Sequence, residues 1–336
     1  MTVYLFTAQL GRTIAFNANT DVLSFAGNAA GFRLSQSGAN LIVTAMTGGS
    51  VTLTGMQLAQ VTTSNFTLGD ASSIIAGDNT TSTINDALPQ PANGVLDLVA
   101  ANGTNLNANN LLYGLAEGDT LTAGNGDNVI YGGSGQADTA DGSDAITING
   151  NSEFSGNNEI YGNGGNDTVL FVKATGLGKL AKVYGGLGND NVVSGAANGT
   201  LEFFGNAGRD TLDASSSNGS VTLYGGNGVA DTSDDADVLT TGLSNALVYG
   251  NAGADQLVFD DFLSGTVQTL YGGLGDDSIF GDAGGAGSYG TLIAFGNAGA
   301  DNFNLTTHFG LATVYGGSAI ADTADVNDTF VVGSGN

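Results

Sequence analysis

The chain has 336 residues with 41% hydrophobic content, enough apolar material to bury a core in one large domain or two. Thirty-two acidic residues against six basic ones give a formal charge of -26, which excludes nucleic acid and anionic lipid as natural partners and demands cations to neutralise a compact fold. Cysteine is absent, so disulfides, thiolate metal sites and a cysteine nucleophile are excluded as well.

The opening stretch MTVYLFTAQLGR lacks both a basic region and an apolar run of signal-peptide or membrane-span length, so export is expected to use a route without a cleaved N-terminal signal. From Thr2 to about Gly77 a period-two alternation recurs, as in TVYLFTA, DVLSFAG and NLIVTAM, with turn residues between at NANTD, QSGAN and TGGS. Residues 1–77 therefore read as a small antiparallel β domain suited to docking or assembly. Residues 78–94, DNTTSTINDALPQPANG, hold both prolines, Pro89 and Pro91, and read as a linker.

From residue 95 to 336 the dominant signal is internal repetition. Glycine is 56 of 336 residues and proline only 2, a balance that favours many tight turns over a loose linker. An aromatic followed by glycine recurs at Tyr113, Tyr131, Tyr161, Tyr184, Phe204, Tyr224, Tyr249, Tyr271, Phe295 and Tyr315. These spacings are too short for helical hairpins and suit one coil of a β-solenoid: a glycine turn, a strand, an opposite turn and a return strand. The strand after each turn starts with an acid, one variable residue and an apolar one, as in DTV at Asp167 and DSI at Asp277. Val169, Val192, Leu212, Leu239, Leu257, Ile279, Phe303 and Phe330 are thus expected to stack inward as one ladder, facing a second ladder that includes Val183, Leu223, Val248 and Leu270. The aromatics are expected in core or strand-edge packing, with a sugar-stacking row as the other reading.

A longer period of four coils is superimposed: loops of type GN, GGLG, GNAG and GG with an insert begin at Gly162, Gly185, Gly205 and Gly225, and again at Gly250, Gly272, Gly296 and Gly316. The inserts are GGSGQADTADGSD from Gly132, GGNGVADTSDDAD from Gly225 and GGSAIADTADVND from Gly316. Their acids Asp138, Asp141, Asp231, Asp234, Asp235, Asp322 and Asp325 are either extra ion ligands, since D-x-x-D in a short loop can converge carboxylates, or a solvated acidic surface.

The segments GGLGNDNV from Gly185 and GGLGDDSI from Gly272 resemble the hemolysin-type, or RTX, nonapeptide GGxGxDxUx, over about residues 113 to 330. The resemblance implies an all-β protein whose residues 95–336 form a calcium-binding parallel β-roll or β-solenoid. Hard cations take several oxygen ligands, and a glycine turn offers its carbonyls while the terminal aspartate supplies charge. On that logic Asp144, Asp167, Asp190, Asp210, Asp237, Asp255, Asp277, Asp301 and Asp328 are the side-chain ligands. The matching turn glycines are Gly162, Gly164, Gly185, Gly188, Gly205, Gly208, Gly225, Gly250, Gly253, Gly272, Gly275, Gly296, Gly299 and Gly316. The family carries nonapeptides on both sides of its roll, whereas here only Gly114 to Tyr131 shows two in tandem, GLAEGDTLT and AGNGDNVIY. Several Ca²⁺ ions are therefore expected mainly in one column along one side.

Lys173, Lys179 and Lys182 hold half of the basic charge and either relieve local repulsion or meet an acidic face of a neighbouring molecule. His308, the only histidine, is expected on the surface of an opposite turn, and no catalytic constellation can be assembled around it, so the chain is expected not to be an enzyme. The resemblance implies type I secretion and an extracellular or bacterial cell-surface location. The leading expectation is a self-assembling structural protein, similar to RTX-type surface-layer proteins. Its expected partner is further copies of itself, with cell-surface polysaccharide as a second candidate, no nucleic acid and no membrane insertion. An adhesin or matrix protein, and the export module of a hydrolase or epimerase, are the other readings.

Overall fold

The computed structural model describes residues 1–70, 72–77, 95–97 (backbone), 109–136, 138–148, 156–172, 176–229, 231–260, 263–282, 289–318 and 325–333. The linker assigned to 78–94, together with Lys173 and Asp322, lies outside the described residues. The chain divides into two compact units, Met1–Gly165 and Asn166–Asn336.

In the first unit an antiparallel meander runs through Phe32–Ser37, Asn40–Ala45 and Ser50–Thr54. Its two connections are glycine turns with left-handed backbone at Gly38, Gly48 and Gly49, which is where the alternation breaks. Parallel pairing accompanies this meander. Thr13–Ala15 pairs with Ser50–Thr54, and Val3–Leu5, Val22–Phe25 and Phe66–Leu68 form a three-stranded parallel sheet. Phe6, Phe16, Phe25, Phe32 and Phe66 fill the space between, with ring centroids 4.7 to 6.5 Å apart.

The rest of the first unit is a parallel solenoid. One sheet stacks Ser73–Ala76, Asn110–Tyr113, Asn128–Tyr131 and Asn158–Gly164; the other stacks Val95–Asp97, Thr120–Ala123 and Ala145–Ile148. The β region covers these coils with polar contacts onto their aromatics. The Leu34 N–H donates to Tyr113 Oη at 2.8 Å, Arg33 forms a 2.9 Å ion pair with Glu159, and Tyr161 donates its hydroxyl proton to the same carboxylate at 2.6 Å.

The second unit repeats this architecture with more coils. Leu180–Leu187, Thr200–Ala207, Val221–Tyr224, Ala246–Ala252, Val267–Leu274, Thr291–Ala298 and Leu311–Tyr315 form one parallel sheet, and the strands from Thr168–Phe171 to Thr329–Val332 form the other. Register holds each repeat position in line: Val169, Val192, Leu212, Leu239, Leu257, Ile279, Phe303 and Phe330 are successive partners, and all but Phe330 are fully buried. Each such side chain contributes about 1.5–3 kcal/mol on burial.

The aromatics turn the other way. Because side chains alternate across a strand, Val183 faces in and Tyr184 faces out, so the rings form an outer stack and not a core. Centroids from Tyr184 through Phe204, Tyr224, Tyr249, Tyr271 and Phe295 to Tyr315 are 4.6 to 5.2 Å apart, the spacing of the strands themselves. Ring faces are consumed by neighbouring rings, which leaves mainly edges for solvent. Lys182 lies 5.2 Å and 5.1 Å from the Tyr184 and Phe204 centroids and pairs with Glu202 at 3.3 Å, so its charge is used between its own coil and the next. His308 is buried in its turn, edge-on to Phe259, and not on the surface as its isolation in the sequence suggested. Among the described residues no helix is long and apolar enough to cross a membrane.

Candidate metal centre

The glycine loop sets the geometry. In the loops without an insert its second position is left-handed, held by glycine at Gly186 and Gly273 (φ 120°) or by asparagine at Asn163, Asn206, Asn251 and Asn297 (φ 77 to 82°). Asparagine tolerates this region better than other non-glycine residues, which is why GG and GN loops interchange. The fourth position is left-handed as well, at Gly188, Gly208, Gly253, Gly275 and Gly299. In the loop from Gly162 that position is Gly165 (φ 105°), one residue beyond the Gly164 expected from the sequence; Gly164 itself ends the strand.

After the loop the column aspartates turn inward and are buried: Asp119 and Asp144 in the first unit, and Asp167, Asp190, Asp210, Asp237, Asp255, Asp277 and Asp301 in the second. One carboxylate oxygen of most of them closes the backbone of the coil before it. Asp119 donates its N–H to Asp144 Oδ1, and in the second unit the same bond runs from Asp167 to Asp190, Asp210, Asp237, Asp255, Asp277, Asp301 and Asp328, at 2.7 to 3.0 Å.

The other oxygen is directed at a glycine. Asp190 Oδ2 lies over the Cα of Gly185 together with the Gly205 carbonyl of the next coil, so that any Cβ there would overlap both. Gly205 stands in the same relation to Asp210 and the Gly225 carbonyl, Gly225 to Asp237 and Gly250, Gly250 to Asp255 and Gly272, Gly272 to Asp277 and Gly296, and Gly296 to Asp301 and Gly316. In the first unit Gly132 repeats it with Asp144 and the Gly162 carbonyl. Gly316 adjoins Asp328 in the last described coil.

Two oxygen acceptors thus converge at each step with no donor between them. The Oδ2 atoms of Asp190, Asp210, Asp237, Asp255, Asp277 and Asp301 are buried and make no hydrogen bond. Burial, opposed by the backbone bond from the preceding coil and reinforced by neighbouring carboxylates, raises Asp190 and Asp277 to about 8. Burial likewise raises Asp255 to about 7 and Asp210 and Asp301 to about 6. An unpaired carboxylate in such a place is costly unless protonated or bound to a cation. Among the described residues no three acidic or histidine side chains meet at a point, so the donor set at each step is carboxylate plus carbonyl oxygen. Such a set suits a hard cation such as Ca²⁺ and not a transition metal. Ca²⁺ at these positions would neutralise the column and tie each coil to the next.

Asp119 is absent from the expected ligands although GLAEGDTLT reads as a nonapeptide; its loop has Leu115 (φ 90°) and Glu117 (φ 71°) where other loops have glycine or asparagine. Its Oδ2 nevertheless adjoins Gly114 and the Gly132 carbonyl like the others. The opposite turns of the first unit are built differently. There Asn110, Asn128 and Asn158 form a buried amide ladder at 2.9 Å, and the Asn128 amide donates to the carbonyls of Gly124 and Gly126 at 3.1 and 2.8 Å. In the second unit Gln268 does the same for Gly242 and Ser244.

The family model for the RTX calcium-binding nonapeptide repeat (four copies) matches residues 106–136, 155–171, 182–201, 231–262 and 267–285. No curated protein and no solved structure matches the chain. Proteins with these repeats bind calcium and are typically secreted. The matched segments hold Asp119, Asp167, Asp190, Asp237, Asp255 and Asp277 of the carboxylate column, and the chain carries RTX-type calcium-binding repeats.

Proposed function

We propose that the protein is a calcium-dependent, self-assembling extracellular structural protein of a bacterial cell surface, forming a lattice or filament and exported by a type I route. The observation that carries this reading is the buried column of carboxylates facing carbonyls with no donor between, which makes folding depend on a cation abundant outside the cell. A single main ion column follows, because amides from Asn128 and Gln268 already serve turn carbonyls on the opposite side. The column acids have this role in place of catalysis, and the reading assigns the chain no enzymatic activity.

Self-assembly is supported by exposed apolar side chains such as Leu311 and Val332, 76 and 71% exposed, which contacts between copies would bury. A groove lined by Val229, Thr232, Tyr249, Tyr271 and Asn297 beside the ring stack favours a second reading, an adhesin for surface polysaccharide. Size-exclusion chromatography and electron microscopy with and without millimolar Ca²⁺ separate the two. Ordered assemblies in calcium support the structural role; a folded calcium form that stays monomeric and binds glycan supports the adhesin.

A further inference from the structure

The inserted loops present a different arrangement from the rest of the column. We propose that each inserted loop builds a second kind of divalent-cation site, in which the carboxylate three residues before the column aspartate joins it, as Asp234 joins Asp237. This inference rests on the calcium reading of the column.

The loop from Gly225 is organised before any ion is considered. Asp231 folds it: Oδ2 accepts from the Asn227 N–H at 3.1 Å and Oδ1 from the Ser233 N–H at 3.1 Å. Burial opposes ionisation of Asp231, but these bonds outweigh it and hold the carboxyl below its usual range. From the next coil Asn251 clamps the loop, donating to the Gly228 carbonyl at 2.6 Å and accepting from the Gly226 N–H at 3.0 Å. The loop from Gly132 is held in the same way. Asp138 accepts from Ser134 and Ala140, Asn163 donates to the Gly135 carbonyl at 2.7 Å, and Gly135 and Gly228 share a φ of 146°.

With the first acid committed to folding, the second is delivered to the column. Asp234 uses Oδ1 to accept the Asp235 N–H at 3.0 Å, while its Oδ2 is buried and makes no hydrogen bond. Asp237 is 1% exposed, and its own unpartnered Oδ2 faces Gly225 and the Gly250 carbonyl. The two side chains lie within reach of one another across the loop. Coils such as those of Asp255 and Asp277 offer one such carboxylate. The spacing recurs at Asp141 and Asp144 and at Asp325 and Asp328, and a Cβ on Gly316 would lie 3.5 Å from Asp325 Oδ2. Calcium affinity rises with the number of charged ligands, so these sites load first and pin every fourth coil while the single-carboxylate steps are still empty.

The test is a Ca²⁺ titration of the full chain, stripped by chelator, followed by calorimetry and by equilibrium dialysis for the bound count. Asp234→Asn should remove one ion from the tightest class or weaken it by about tenfold or more. Asp255→Asn should remove one ion from a weaker class and leave the tightest class unchanged. Asp234→Glu, which keeps the charge, should retain the tight ion. If Asp234→Glu weakens it as much as Asp234→Asn, the loss comes from loop packing and the proposal is overturned. An Asp234→Asn titration identical to wild type, with the Asp255→Asn loss intact, overturns the inserted site and leaves the column standing; a wild-type chain that binds no calcium overturns both.

Discussion

Asp277 has opposite effects on stability with and without calcium. Its Oδ2 shares the space over Gly272 with the Gly296 carbonyl, and only a cation or a proton can separate these two acceptors. Asp277→Asn supplies a donor in place of the charge, as Asn128 does for the Gly126 carbonyl in the opposite turn. In chelator near pH 5, where the calcium-free fold persists, the variant should therefore be more stable than wild type by about 1–3 kcal/mol, because it takes up no proton to fill the site. In saturating Ca²⁺ it should be less stable and bind one ion fewer. Paired thermal melts read this reversal, and a variant destabilised in both conditions would remove the column argument. Glu117 gives a second test at the same scale. It is exposed, with φ 71° at a position where other loops have glycine, and Glu117→Gly should raise stability by about 0.5–1 kcal/mol, measured by denaturant titration in calcium.

At the scale of the element, strand and loop were legible to different degrees, for physical reasons. The inward ladder from Val169 to Phe330 could be read directly, because a parallel solenoid repeats each position in register and the period-two alternation leaves one choice of face. The same alternation places Tyr184 outward beside Val183 and so decides between the core and strand-edge positions that its aromatic character left open. The column aspartates were legible wherever the turn glycines were present, whereas at GLAEGDTLT, where Leu115 and Glu117 take their place, the nonapeptide was legible and its ligand Asp119 was not. The roles of the insert acids could not be read from spacing, since Asp231 and Asp234 differ only in which loop atoms they reach. The contact of Arg33 with Glu159 spans 126 residues and carries no local signal. Asn251 makes the loop argument testable: Asn251→Gly keeps the left-handed backbone and removes both clamp bonds, worth about 1 kcal/mol each. Amide exchange at Gly226 should quicken while exchange in Val238–Thr240 and Gln256–Phe259 holds. Unchanged exchange at Gly226 would show that the insert keeps its shape without the clamp.

The whole molecule carries a net charge of -26, and the column concentrates part of it where water is excluded. Its pH behaviour follows from the direction in which burial moves these acids. Asp190, Asp210, Asp255, Asp277 and Asp301 titrate between about 6 and 8 when folded and near 3.8 when unfolded, mainly because burial disfavours their charged forms. Across that window the folded chain holds more protons than the unfolded one, so the calcium-free fold loses stability as pH rises. A tenfold difference in proton affinity between the folded and unfolded chain is worth about 1.4 kcal/mol, and several such groups lie in one stack. In chelator the β-sheet circular dichroism should accordingly persist near pH 5 and be lost by pH 8. Calcium reverses the dependence: it binds the ionised carboxylates, so the Ca²⁺ concentration at half folding should rise as pH falls toward 5. A chelator effect of equal size at both pH values would mean that the buried acids are compensated by something other than protons and calcium. The predicted crossing of the two dependences is the signature of a chain that stays unfolded in calcium-poor neutral solution and folds on reaching calcium.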